Sequence, residues 1–330
     1  MPKATYENPR MDGPGRHGDA LSGTVRADPV KIAWVGGMLL AGTLGSVLTA
    51  TPGAVVLFVV TTLVTLCLGH SLGMHRRFIH RSYRCPRWME VLFVHFGVLV
   101  GLAGPFGMLR THDLRDWAQR QRECHPYFSH GSAWYRDVLW QLFCRIDLVG
   151  PPRIDIEPEI ANDPWMRAME RTWMAQQLPW AVLFYVLGGW GWVFWGIASR
   201  VSVSILGHWL VGYFAHNEGE RHWHVDGAAV QGHNVRWCAL LTMGESWHNH
   251  HHAFPGSARL GLEPGQWDPG WWVLRALERL GLVHDLVLPE ALPPRPELRA
   301  VGQLPTATDR GGWLERSAAP ACGPVQSDAS

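Results

Sequence analysis

In the run GESWHNHHHAFPGSAR, His248, His251 and His252 stand at i, i+3 and i+4. On a helical turn all three share one face and can reach one or two metal ions, while His250 points away from it. In the run GMHRRFIHRSY, His75 and His80 are five apart, about 140° around a helix of 3.6 residues per turn. They are not neighbours on one α-helical stripe, so they serve different metals or one of them sits past the helix end. Neutral imidazole suits iron, zinc, copper and nickel. Ligands gathered from distant segments describe a metal site better than a pH sensor.

The elements that must position these rings are apolar. Residues 33–50 carry no charge, the breaker Thr51-Pro52-Gly53 follows, and residues 54–74 have His70 as their one side chain that titrates near neutrality. Each run is long enough to cross a hydrocarbon core of about 30 Å, and so short a connection makes an antiparallel hairpin. A second hairpin is predicted from residues 178–199 and 201–217, with Arg200 marking the turn and His208 inside the returning run. Residues 91–109 are uncharged but hold Gly97, Gly101, Gly104, Pro105 and Gly107, which suits a bent segment embedded from one face better than a straight crossing. The expected fold is all-α and integral to a membrane: four spans in two hairpins, a re-entrant segment, and a helical metal-binding cap.

On this topology His70, His75, His80, His112, His125, His216 and His248 to His252 fall on one face. Arg76, Arg77, Arg81, Arg84 and Arg87 make that face cytoplasmic. The 19 tryptophans, among them Trp190, Trp192 and Trp195, suit an interfacial belt. With 47% hydrophobic residues, 17% charged and a net charge of +1, neither disorder nor a nucleic-acid surface is indicated. Six scattered cysteines without CxxC spacing argue against a disulfide framework. The first apolar run begins after thirty polar residues, unlike a cleaved signal peptide. Residues 1–30 and 291–330 read as disordered polar tails flanking a membrane domain at 31–290.

HRRFIHRSY and GESWHNHHHAFPGSAR resemble the first and third histidine boxes of the membrane fatty-acyl desaturases, and the likeness covers roughly residues 55–262. It includes box order, the intervening apolar runs, GLAGPFGMLRTHD where the family has the segment before its second box, and an isolated histidine, His216, ending the last span. The resemblance implies two irons held by about nine histidines at the cytosolic face, O₂ activation, and removal of two hydrogens from an acyl chain in a kinked tunnel. The implied ligands are His75, His80, His112, His216, His248, His251 and His252. The chain departs from the pattern at the second box, where His112 is followed at i+3 and i+4 by Arg115 and Asp116 instead of two histidines. Gly212 stands where the family tends to place Asn. Asp116, one turn from His112, or His125 and His70 could fill the missing positions. Asp113, Glu245, Glu218 and Asp226 are candidates to hold the ligands' other ring nitrogens.

Breaking an unactivated methylene C–H bond lies beyond side-chain acids and bases, so a metal and oxygen must do it. The chain has no nucleotide loop, cluster-binding cysteines or haem motif. Electrons would therefore come from an external ferredoxin, or from a cytochrome with its reductase. The expected substrate is a long-chain acyl thioester or lipid, and the expected setting is the membrane, with the termini and metal site on the cytoplasmic side. A hydroxylase on the same scaffold, or a catalytically impaired metal-binding relative, is the alternative. His208, well inside the span, either lines the substrate tunnel or hydrogen-bonds a neighbouring helix. His130, His222, His224, His233 and His284 read as loop or surface residues.

Overall fold

The computed structural model describes residues 8–11 and 18–303. Asp28 caps the first helix, α1 (Pro29–Leu48), by accepting from Val30 and Lys31 N–H at 3.0 and 3.2 Å. Thr51 caps α2 (Pro52–Val64) by accepting from Ala54 N–H at 3.2 Å. The α2 helix continues without a break into a π-helical segment, Thr65–Ile79. Then follow α3 (Arg87–Leu99), α4 (Pro105–Arg120), α5 (Pro126–Ser129), α6 (Trp134–Phe143), α7 (Pro158–Ala161) and α8 (Pro164–Arg171). The chain goes on through α9 (Gln177–Val193), a π turn at Phe194–Ser199 and α10 (Arg200–Asn217). Two helices, α11 (His248–Ala253) and α12 (Pro269–Arg279), complete the cap.

Among the described residues, three helical stretches are long and apolar enough to cross a membrane: Pro29–Leu48, Pro52–Ile79 and Gln177–Asn217. Their outward faces expose Leu44, Val47, Leu48, Val56, Val182 and Val186, a surface that lipid can cover and water cannot. The architecture is mostly helical, as expected for an integral membrane protein.

The break in the third stretch is not at Arg200. Gly188 and Gly189 leave helical geometry, with Gly189 at φ 65°, and the chain reverses there. Residues 178–187 therefore cover only about 15 Å, half of a bilayer core, whereas residues 190–217 run about 42 Å. Arg200 lies inside the long leg and is buried. Its guanidinium donates to Leu99 O, to Gly196 O at 2.8 Å and to Gln177 Oε1 at 2.6 Å. The charge that read as a turn is a clamp holding the C-terminal end of α3 to the long leg.

Residues 91–109 are likewise two elements. The end of α3 turns at Gly101 (φ 87°) and Pro105 starts α4, so the glycine-rich stretch is a helix–turn–helix corner.

Close helix packing depends on small residues, as in membrane bundles. A Cβ on Gly69 would sit 2.4 Å from Phe96 C, and one on Gly73 would sit 2.5 Å from Phe93 O. The π segment thus lies backbone to backbone on α3. On the other side, a Cβ on Gly42 would meet Ala198 O at 3.0 Å, and Ser199 Oγ donates to Gly42 O at 3.2 Å. Gly69→Ala is expected to force α3 off the π segment. It should cost about 3 kcal/mol, at the upper end of overpacking penalties, read as a lower melting temperature of the detergent-solubilised protein. A melt within a degree of the parent would contradict the packing described.

The polar ends are more ordered than their composition suggests. Within the first thirty residues, β1 (Asp19–Ala27) pairs antiparallel with β2 (Cys144–Gly150). Arg10 is buried, with its Nε donating to Glu157 Oε2 at 2.9 Å. After residue 290, β4 (Leu298–Ala300) pairs with β3 (Trp223–Val225), and Arg295 donates to the carbonyls of His252 and Ala253. Backbone pairing and buried ion pairs order these segments where apolar area could not. The remaining parts of both expected tails lie outside the described residues.

Candidate metal centre and family membership

Among the described residues, seven histidines from four segments converge in two adjoining groups. His75, His80, His112 and His251 bring ring nitrogens within 4.8 Å of one another, as do His216, His248 and His252. Nε2 of His80 and His112 are 3.3 Å apart, those of His216 and His248 3.1 Å, and those of His248 and His252 3.0 Å.

The π segment explains how His75 and His80 meet. In a π-helix residue i bonds to i+5, and His80 N–H donates to His75 O at 3.0 Å across such a turn. Residues 140° apart on an α-helix are thereby stacked on one face, and the two rings lie 4.7 Å apart in one group. His80 caps the segment, so the residue past the helix end is the one that reaches its neighbour, and the pair does not divide between two sites.

The HxxHH turn divides instead. On α11, His251 faces His75 and His80, with ring centroids at 4.5 and 4.9 Å, while His248 and His252 face His216 at 4.6 and 5.4 Å. His250 points the other way and is buried. Its Nδ1–H donates to Leu260 O at 2.9 Å, and its Nε2 meets the Asn234 side-chain amide at 3.1 Å.

The second ring nitrogens fix which atom faces inward. His75 Nδ1 lies 2.5 Å from Glu245 Oε2, and Ser71 Oγ–H donates to the other carboxylate oxygen at 2.5 Å. His216 Nδ1–H donates to Gly212 O at 2.6 Å. Both rings therefore direct an Nε2 lone pair into the site. Arg76 holds the same Glu245 at 3.4 Å and Asp268 at 2.8 Å, tying the first group to the N-terminus of α12, where Asp268 caps Trp271. Burial opposes ionisation of Glu245, but His75, Arg76 and Ser71 together hold its carboxyl well below the usual range.

On α11 burial favours the neutral rings, which is the ligand form. It pushes His248 and His251 well below the ordinary histidine value and His252 down to about 4. His112 goes the other way: burial lowers it, yet Asp116 and Asp113 outweigh that and raise it.

The donor set fits metal ions on its own geometry. A neutral imidazole has one N–H, so converging Nε2 atoms at 3.0 to 3.3 Å cannot all be paired with each other, and His251 Nδ1 is buried without a hydrogen-bond partner. Two nitrogens bound to one metal at about 2.1 Å and at right angles would be about 3.0 Å apart, as these are.

Residues 50–281 match the family described as fatty acid desaturase. Among similar curated proteins, an sn-2 palmitoyl-lipid 9-desaturase of Nostoc is 31% identical over 67% of this chain and 76% of its own. An sn-1 stearoyl-lipid 9-desaturase of Anabaena variabilis is 32% identical over 68% and 80%. An acyl-CoA C20 Delta5-desaturase of Anemone leveillei is 30% identical over 68% and 70%. The chain belongs to the fatty acid desaturase family. It is an oxidoreductase of lipid metabolism, and its histidine clusters suit the iron that fatty acid desaturases use.

Several expected roles fall differently on this desaturase. His125 stands apart from both groups, accepting from Tyr127 N–H at 3.1 Å as the cap of α5. Glu218 is exposed beside Glu220 and Trp237 in a surface cleft. Asp226 pairs with Arg299. Asp113, in contrast, does stand beside a ligand's other ring nitrogen, buried 3.5 Å from His112 Nδ1 and 3.5 Å from Arg10 Nη1. His70 packs edge-on against His208, centroids 5.1 Å apart, outside both groups.

Two features were missed. His130, read as a loop residue, is buried and stacks on His216 at 5.2 Å. Its Nδ1–H donates to Asp137 at 2.9 Å, and its Nε2 accepts from Arg115 at 2.7 Å. Arg115 thereby turns away from the histidine groups, its other amino group donating to Gln141 at 2.7 Å. Gly212 makes room for this arrangement, since a Cβ there would meet His130 Nε2 at 3.3 Å. The second missed residue is Gln119, whose side-chain amide sits 3.1 Å from His216 Nε2. Its spacing of seven from His112 puts both on one helical face, a signal that was available in the sequence.

Proposed function

We propose that the chain is an O₂-dependent di-iron desaturase that introduces a double bond into a long acyl chain at the cytoplasmic face of a membrane. The observation that carries this is the pair of adjoining groups, His75, His80, His112, His251 and His216, His248, His252, whose ring nitrogens lie within 4.8 Å of one another in each group.

Bound there, iron would supply with O₂ the oxidising strength to break unactivated C–H bonds. The protein's part is placement. Glu245 and the Gly212 carbonyl orient His75 and His216, Arg295 fixes the end of α11, and burial favours the neutral form of the α11 histidines. Over one turnover the acyl chain would give up two hydrogens, an external ferredoxin or cytochrome two electrons and the solvent two protons, so that O₂ leaves as two waters.

The named relatives act on acyl groups of lipids or of CoA, and a long-chain acyl lipid or thioester is the proposed substrate. Its chain would enter from the apolar side, where His70 and His208 stand in the helices that carry His75 and His216; His208 is proposed to line that tunnel. The half-length leg and the long leg around Gly188 and Gly189 are read as the second hairpin of a four-span fold, with the α3–α4 corner embedded from one face. Arg81, Arg84 and Arg87 support reading that face as cytoplasmic.

Expression in a host with a simple fatty-acid profile, beside a His251→Ala control, tests the reading by lipid mass spectrometry. Acyl chains lighter by two hydrogens, absent from the control, are expected. A gain of one oxygen would mean hydroxylation, and unaltered lipids would contradict catalysis.

A further inference from the structure

Helix α4, like α11, reaches both histidine groups with residues of a single stripe. His112 meets the first group, its Nε2 3.3 Å from that of His80. Gln119 meets the second, its amide 3.1 Å from His216 Nε2. These residues are seven apart, about two turns and 10 Å of helix, and Asp116 lies between them, four after one and three before the other. Residues at that spacing share a face, so Asp116 is carried along the junction of the two groups.

Its neighbours leave that position clear. Arg115, the adjoining residue, is drawn off by His130 and Gln141. Arg120 touches Asp116 from the next turn, donating to Oδ2 at 3.3 Å, which leaves lone pairs on Oδ1. Asp116 is nearly buried, with 14% of its side chain exposed, in surroundings where a carboxylate is kept by cationic partners. Burial opposes its ionisation, and Arg120, followed by His112, His252 and His80 from the two groups, holds its carboxyl well below the usual range.

We propose that Asp116 is a carboxylate ligand standing between the two metal positions, so that this chain builds a mixed nitrogen and oxygen centre in place of the two imidazoles missing from its second box. The inference rests on the two-metal reading above. Oxygen is an acceptable donor to Fe(II), and a carboxylate lowers the net charge that two divalent ions would otherwise place among neutral rings. Arg115 and Gly212 belong to the same rearrangement: the guanidinium at the i+3 position of the box needs somewhere else to go, and Gly212 admits the His130 ring that receives it.

The test uses the full chain in detergent, loaded with iron, with metal content and the rate of metal loss to a chelator as readouts. Wild type is expected to hold two irons. Asp116→Asn, nearly isosteric, is expected to hold one, or to release metal at least tenfold faster, with an unchanged melting profile without metal. Asp116→His, which supplies an imidazole at the same position, should restore both ions, and Arg120→Gln should keep both. Asp116→Asn with wild-type content and release rate would overturn the proposal while leaving the two-metal reading intact. So would Arg120→Gln losing metal as fast as Asp116→Asn, because Asp116 would then serve only the ion pair. A wild type that binds no iron would overturn both.

Discussion

Replacing His251 with Ala is expected to abolish olefin formation and to remove at least one metal from the chain. Its ring lies within 4.5 to 5.8 Å of His75, His80 and His112, and within 5.4 and 6.0 Å of His248 and His252. No other ring on α11 packs against three histidines of the first group. Loss of one donor from four also leaves His75, His80 and His112 facing a void that water would fill. The comparison that gives the result meaning is His250→Gln, one residue away and equally buried. Its partners are Leu260 O and Asn234, so it should lower stability by about 1 to 3 kcal/mol, yet hold metal and form product wherever it folds. Equal loss of metal in both variants would show that the turn, and not the ligand, matters.

Glu245→Gln carries the second large effect. The carboxylate touches three groups at once: His75 Nδ1 at 2.5 Å, Ser71 Oγ at 2.5 Å and Arg76 Nε at 3.4 Å. A carboxylate behind a metal-binding imidazole fixes its tautomer and raises its basicity, and its loss typically costs 10–100-fold in metal affinity or activity. A drop of that size, about 30-fold in iron affinity, is expected here. Folding should survive, because Arg76 keeps Asp268 at 2.8 Å, Met243 O at 3.1 Å and Ala258 O at 2.7 Å. Iron affinity within twofold of wild type, measured by chelator competition, would remove Glu245 from the centre.

Much of the centre was legible because imidazole spacing on a short helix is a strong constraint. The HxxHH turn had to present three rings on one face, and His216 had to lie near the cap if its helix returned there. The pairing of His75 with His80 was less legible, since an α-helical period separates them and nothing in GMHRRFIHRSY announces a π-helix. Arg200 misled for a related reason. A charge in an apolar run reads as a turn, but three carbonyl acceptors can satisfy a guanidinium inside a helix bundle, and the turn went to Gly188 and Gly189. His130, Asp137 and Arg115 were hidden because their contact is tertiary, joining α4, the end of α5 and α6. The order in residues 19–27 and 298–300 comes from strand pairing with distant partners, which composition does not report.

The central claim is that two irons sit side by side among these rings. It is tested most directly by crystals or cryo-preserved arrays of the iron-loaded protein measured at the iron absorption edge. The account predicts two anomalous peaks per chain, one bounded by the nitrogens of His75, His80, His112 and His251 and the other by those of His216, His248 and His252. A single peak, or scattering centred away from these rings, would contradict it.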